Sequence, residues 1–279
     1  MTIDDIRAVP AIDFHSHFGQ YAPGEYYAET FEDSSLESLR QNMAYAHIAV
    51  SITSYMYGLL PRGCGDAVKG NEMIMREAEN VPGVYIWAIV NPLQKESYAQ
   101  AADMLKHPKV LGIKIHPEEH LYPIRKYGEE IYSFAAENRA LIITHSGEEN
   151  SLPEDFCLFA NRFPEVQTIC SHMGCGYDGN LEHQMRAIEM NTNDNLYTDT
   201  SSAKSLTQSL IEYAVKRIGS EKILFGTDNS CYFSPCQRAR IDYAHIPAKD
   251  KYNILCGNAL RLFPFINLIY ERETAKIKN

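Results

Sequence analysis

The segment Asp13-Phe14-His15-Ser16-His17 puts two imidazoles and a carboxylate within five residues. Side chains alternate along an extended strand, so Asp13, His15 and His17 are predicted to share one face, with Ile12 and Phe14 on the other. Two imidazoles spaced this way can chelate one divalent ion. Neutral imidazole nitrogens and carboxylate oxygens suit Zn²⁺ at roughly 2.0–2.2 Å, with one position left open for water in a catalytic site. Manganese, iron or cobalt would accept much the same set. The blander reading of a lone H-x-H is a chance pair of core or surface histidines. Four further polar clusters weigh against it: Lys114-Ile115-His116-Pro117, Thr144-His145-Ser146-Gly147, Ser171-His172-Met173-Gly174 and Gly226-Thr227-Asp228-Asn229. Gathering so many ionisable groups without a shared ligand would cost about several kcal/mol in desolvation.

These clusters need elements to position them, and each ends a short β-branched run. Eight such runs alternate with helical segments: Ala11 to His17, Ile48 to Tyr55, Val84 to Asn91, Leu111 to His116, Leu141 to His145, Val166 to His172, Asn195 to Thr200, and Ile223 to Asp228. That alternation predicts βα units around a parallel sheet. Apolar residues at three and four spacing mark the helices, as in Leu36, Leu39 and Met43, and again in Leu206, Leu210, Tyr213, Val215 and Ile218. Segments such as Asn80 to Gly83 and His107-Pro108 stop a helix before a strand. The expectation is one (β/α)₈ barrel over residues 1–279, with catalytic residues at the C-terminal strand ends. An open doubly wound sheet is the alternative, because periodicity does not report closure. Glu271 to Asn279 read as a solvated tail.

With 279 residues, 45% hydrophobic and 22% charged, the chain can bury a core without disulfides or a structural metal. A net charge of −10 argues against nucleic acid or an anionic membrane as partner. A small molecule is the expected substrate. Seven cysteines without framework spacing read as reduced thiols. The charged N-terminus and the lack of a long apolar run make a soluble cytoplasmic protein the expectation. A homodimer or a larger cyclic assembly is the base-rate expectation for assembly.

Taken in order, the D-x-H-x-H first strand, the fifth-strand histidine, Ser171-His172-Met173-Gly174 and Gly226-Thr227-Asp228 resemble the amidohydrolase-related metalloenzymes. The closing segment Ile254 to Phe263 also resembles that family's last helix. The resemblance covers nearly the whole chain. It implies that His15, His17, His145 and Asp228 ligate the metal and that His172 polarises or protonates the substrate. It also implies that Asp228 accepts a proton from metal-bound water. A bound ion lowers the pKa of its water towards about 7, which makes hydroxide available at neutral pH. A carboxylate and an imidazole beside it can then move protons.

Lys114 and His116 share the inward face of strand four, with Ile113 and Ile115 towards the helices. In binuclear relatives a carboxylated lysine at the end of this strand bridges two metals. Here His116 holds that end and Lys114 lies one layer deeper, which favours one metal ion, with His116 and Lys114 contacting substrate. Lys114 as a buried cation paired with Asp13 is the structural alternative. Asp13 in turn reads either as an orienting partner of a ligand histidine or as half of that pair. Arg62, after strand two, could bind a substrate carboxylate with both arms, or be a solvated arginine. The aromatic-rich loop Phe18 to Asp33 reads as a lid or as rim packing. Cys64, Cys175, Cys231 and Cys236 match no zinc spacing and read as rim or buried thiols.

Hydrolysis of an amide, ester or lactone in a small metabolite is the leading functional expectation. The alternative within the same resemblance is nonoxidative decarboxylation of a small acid. A metal-dependent nuclease fits less well, given the acidic balance and the absence of a glutamate at the end of strand four. A noncatalytic binding barrel is the remaining reading.

Overall fold

The computed structural model describes residues 3–264 and 266–277. Eight parallel strands form one sheet in chain order: β1 (Ala11–Phe18), β2 (Ile48–Tyr55), β3 (Val84–Ile89), β4 (Val110–Ile115), β5 (Leu141–Thr144), β6 (Thr168–Cys170), β7 (Leu196–Asp199) and β8 (Ile223–Leu224). The sheet returns on itself, because Phe14 N donates to Phe225 O at 2.9 Å and Asp228 N to His15 O at 2.7 Å. The expected barrel is therefore what forms, and the open sheet is set aside. Regular β8 is shorter than the run Ile223 to Asp228, since beyond Leu224 the chain makes irregular bonds to β1.

Alternation along the strands sorts side chains into two layers. Phe14, Ile52, Trp87, Ile143, Ile169 and Leu224 fill the barrel, and Phe263 and Ile266 join them. Trp87 Nε1 donates to the Phe14 carbonyl at 2.9 Å, which satisfies the indole. Gly112 makes room for it, since a Cβ there would lie 2.8 Å from the indole. Full burial of side chains this size contributes about 2–3 kcal/mol each. Ile86, Ala88, Ile113 and Ile115 belong to the outer layer beneath the helices, as expected for Ile113 and Ile115.

The helix Leu36–Tyr45 buries Leu39 and Met43 and is capped by Ser35, whose Oγ accepts from Ser38 N at 3.1 Å. The run expected from Leu206 to Ile218 is broken, because Ser209 takes φ +66 and the helix begins at Leu210. The expected tail is also corrected. Ile266–Ile277 is a helix, with Ile266 and Glu273 buried and Tyr270 Oη donating to Pro10 O at 2.7 Å. It follows the Ile254 to Phe263 segment, which is therefore not the chain's last helix. The remaining tail residues, 278 and 279, lie outside the described residues. No helix among the described residues is long and apolar enough to cross a membrane.

The first strand is irregular just before its polar end. Asp13 pairs with Ser51 and Ser16 with Thr53, so three steps on β1 match two on β2. This bulge breaks strict alternation.

Candidate metal centre

The bulge lets Phe14 fill the barrel while His15 and His17, beyond it, both reach the cavity at the strand ends. Asp13 does not join them, contrary to the shared face expected. Its carboxylate accepts from Thr227 Oγ1 at 2.7 Å, Thr227 N at 3.0 Å and Ser51 Oγ at 3.3 Å. It ties β1 to its two neighbours and also accepts from His15 N at 3.1 Å, but it hydrogen-bonds neither first-strand imidazole nor Lys114 among the described residues. Burial pushes it up to about 7 against the Thr227 bonds.

His15 Nε2, His17 Nε2 and Asp228 Oδ1 converge. The separations are 3.1 Å between the nitrogens, 3.4 Å from His15 to Asp228 and 3.2 Å from His17 to Asp228. Ligands about 2.1 Å from one ion lie about 3.4 Å apart in a tetrahedron and about 3.0 Å apart in an octahedron. The three atoms thus already have the spacing of a shared coordination sphere. Burial, opposed by Asp228, lowers His17 to about 4. Burial opposes ionisation of Asp228 too, yet His15 and His17 hold it well below the usual carboxylate range. A neutral imidazole and an ionised carboxylate are the forms a metal takes.

Each donor is held from behind. His15 Nδ1 lies 3.1 Å from Asp199 Oδ2, and His17 Nδ1 lies 2.8 Å from Ser54 Oγ. A carboxylate at the far nitrogen fixes the ring's orientation and raises its basicity. Asp199 Oδ1 also accepts from His172 N at 3.0 Å, Ser201 N at 3.1 Å and Ser201 Oγ. Despite burial, His15 and His172 hold Asp199 well below its ordinary value. His15, His172 and Asp199 also sit close enough to hold an ion, but Ser201 Oγ already bonds both Nδ1 atoms and Asp199 Oδ1. His172 and Asp228 take positive φ, +70 and +55, conformations that cost a non-glycine residue about 1–3 kcal/mol and cluster at functional sites.

The other expected residues divide between the cavity wall, the layer beneath it and the rim. His172 lines the cavity, kept neutral chiefly by burial. His145 lines it too, but its Nε2 bonds Glu148 Oε1 at 2.9 Å, and its ring stacks on His116 at 4.3 Å. It is in neither three-ligand group. His116 faces the cavity, with burial lowering its pKa well below the ordinary value. Lys114 is deeper, its Nζ 2.7 Å from His15 Nε2, and burial lowers it to about 8. Arg62 is at the rim, where Nη2 bonds Glu119 Oε1 at 3.0 Å and Glu148 Oε2 at 3.2 Å. Cys175 and Cys231 line the cavity, as do Tyr26 from the first loop and Tyr232.

Sequence reasoning passed over Asp199, Ser201, Glu119 and Glu148. Asp199 carried a signal, being a polar residue one place inside the seventh run's expected end. Glu119 and Glu148 lie in loops where periodicity says nothing.

The cavity has a volume of about 280 Å³, at the small end of ligand sites. The sequence matches the amidohydrolase family over residues 12–265. A comparison with curated proteins finds no match. Among solved structures, a 2,6-dihydroxybenzoate decarboxylase from Rhizobium is 15% identical with a TM-score of 0.70, over 92% of this chain and 99% of that one. A dihydroxybenzoic acid decarboxylase from Polaromonas, with bound manganese and 2-nitroresorcinol, is 15% identical with a TM-score of 0.68, over 92% and 97%. An amidohydrolase from Burkholderia multivorans with bound zinc is 13% identical with a TM-score of 0.71, over 92% and 99%. These likenesses show the fold.

Proposed function

The chain is an enzyme of the amidohydrolase family, and on that premise we propose that it is a metal-dependent, nonoxidative decarboxylase of a small aromatic or related carboxylic acid. The hydrolase expectation becomes the second reading. The observation that carries the proposal is His172 in the small cavity beside the donor set, with Ser201 and Asp199 behind it. Decarboxylases of dihydroxybenzoates sharing the barrel support the same reading.

Replacing a carboxylate by hydrogen, R–COO⁻ + H⁺ → R–H + CO₂, requires a bound anion and one proton delivered to the carbon that loses CO₂. A divalent ion held by His15, His17 and Asp228, with His145 as the proposed fourth ligand, would bind the carboxylate and stabilise developing negative charge. Zinc suits the mixed nitrogen and oxygen donors, and manganese is the alternative. The protein moves the proton. His172 Nδ1 is occupied by Ser201 Oγ at 2.9 Å, which leaves Nε2 to take up a proton and pass it to carbon. The Asp199 carboxylate behind Ser201 stabilises the charge His172 carries meanwhile. Tyr26, Met56, Leu59, Leu60 and Tyr232 supply apolar and aromatic walls for a flat ring.

The test uses protein reconstituted with zinc or manganese and a panel of hydroxybenzoates and related acids together with small amides, esters and lactones, with CO₂ and the carboxylate carbon followed by ¹³C NMR. CO₂ released one for one with substrate and abolished by chelation is expected. Cleavage of amides, esters or lactones without CO₂ would instead establish the hydrolase, a reading favoured by the general-base placement of Asp228 among the donors. No metal-dependent turnover of any panel member would sink both.

A further inference from the structure

We propose that Ser201 is a positioning residue that sets the tautomer of His172, through a hydroxyl that it shares with His15 and Asp199. Its fully buried Oγ lies 3.1 Å from His15 Nδ1 and 2.9 Å from His172 Nδ1, and it also bonds Asp199 Oδ1. A hydroxyl has one proton to give and two lone pairs that accept. An ionised carboxylate can only accept, so the hydroxyl proton goes to Asp199. Were it turned to an imidazole instead, two oxygens would face each other at hydrogen-bonding distance with no proton between them. The lone pairs of Oγ therefore receive protons from both Nδ1 atoms, and both rings carry hydrogen there.

The consequence is the same on either side of Ser201 and serves two tasks. His15 presents a bare Nε2 to the ion, as a ligand must. His172 presents a bare Nε2 to the cavity, so it enters the reaction as a proton acceptor. That second task rests on the reading of His172 as the proton carrier. The two rings are not tethered equally. His15 Nδ1 has a second acceptor in Asp199 Oδ2 at 3.1 Å. For His172 Nδ1 the Asp228 carboxylate, with Oδ2 4.0 Å away, is too distant to replace the lost bond. Loss of the hydroxyl should therefore free His172 and leave His15 in place.

Imidazole ¹⁵N shifts of the metal-free protein test this directly, because they distinguish Nδ1–H from Nε2–H. In the wild type, His15 and His172 are expected as Nδ1–H. His120, whose Nε2 contacts the Gly58 carbonyl at 2.8 Å, serves as the opposite reference. In Ser201→Ala, His172 should convert largely to Nε2–H or to a mixture, with His15 and His120 unmoved. With metal restored, kcat should fall about tenfold to a hundredfold while metal affinity changes by less than about threefold. A wild-type His172 found as Nε2–H, or a Ser201→Ala spectrum identical to wild type, overturns the assignment. The expected tautomers in a protein that decarboxylates nothing would uphold Ser201's role and reject the decarboxylase.

Discussion

On the side of the cavity built by β1, β7 and β8, His15, Asp199 and Ser201 are at most 1% exposed, and each contacts two or more protein groups. On the rim supplied by residues after β2, β4 and β5, Arg62 is 49% exposed and Glu148 31%, joined by a pair that water can replace, while Glu119, the other carboxylate on Arg62, is buried. Removing one partner on the buried side leaves another polar group without water or protein, which costs about 1–3 kcal/mol. Removing an exposed ion pair costs about 1 kcal/mol or less. The buried side is thus a candidate template for an ion, whereas the rim can rearrange around whatever occupies the cavity. His145 stands between the two, stacked on His116 yet bonded to the rim carboxylate Glu148.

Mutation can break this contrast, most forcefully at the donors themselves. His15→Ala/His17→Ala removes two of three converging atoms, so metal content by elemental analysis should fall from about one equivalent per chain to almost none. Turnover should fall at least about a thousandfold, the scale of several kcal/mol of lost charge stabilisation. A full equivalent retained by the variant would mean that the template lies elsewhere.

Asp199→Asn probes the support behind the donors and should weaken metal affinity about tenfold to a hundredfold in a chelator competition titration, with the fold intact. An affinity equal to wild type would show that the ligand positions hold without their backing. The smallest effect belongs to the rim. Arg62→Ala removes the counter-charge from Glu119 and Glu148, so KM for an anionic substrate should rise about two- to fivefold with kcat and metal content unchanged. A loss of metal affinity matching Asp199→Asn would merge the two sides into one unit.

The strand ends were legible because their chemistry is local. A β-branched run closed by His or Asp needs no distant information, and His116, His145, His172 and Asp228 all reach the mouth as that pattern predicts. The two histidines of the first strand also arrive together. Asp13 does not, because one inserted residue changes which side chains face inward, and a two-residue period cannot register it. The C-terminal helix was misread as a tail because its buried contacts, such as Tyr270 to Pro10, span the length of the chain.

By itself, then, the sequence determined eight βα units and the residue types gathered at their strand ends, since both follow from short-range periodicity and strand-end polarity. The tertiary structure decided which of those residues share a centre. The Asp199 contact to His15 spans 184 positions and that of Ser201 spans 186. Such meetings depend on closure of the barrel and on the bulge in β1, and no local pattern carries either.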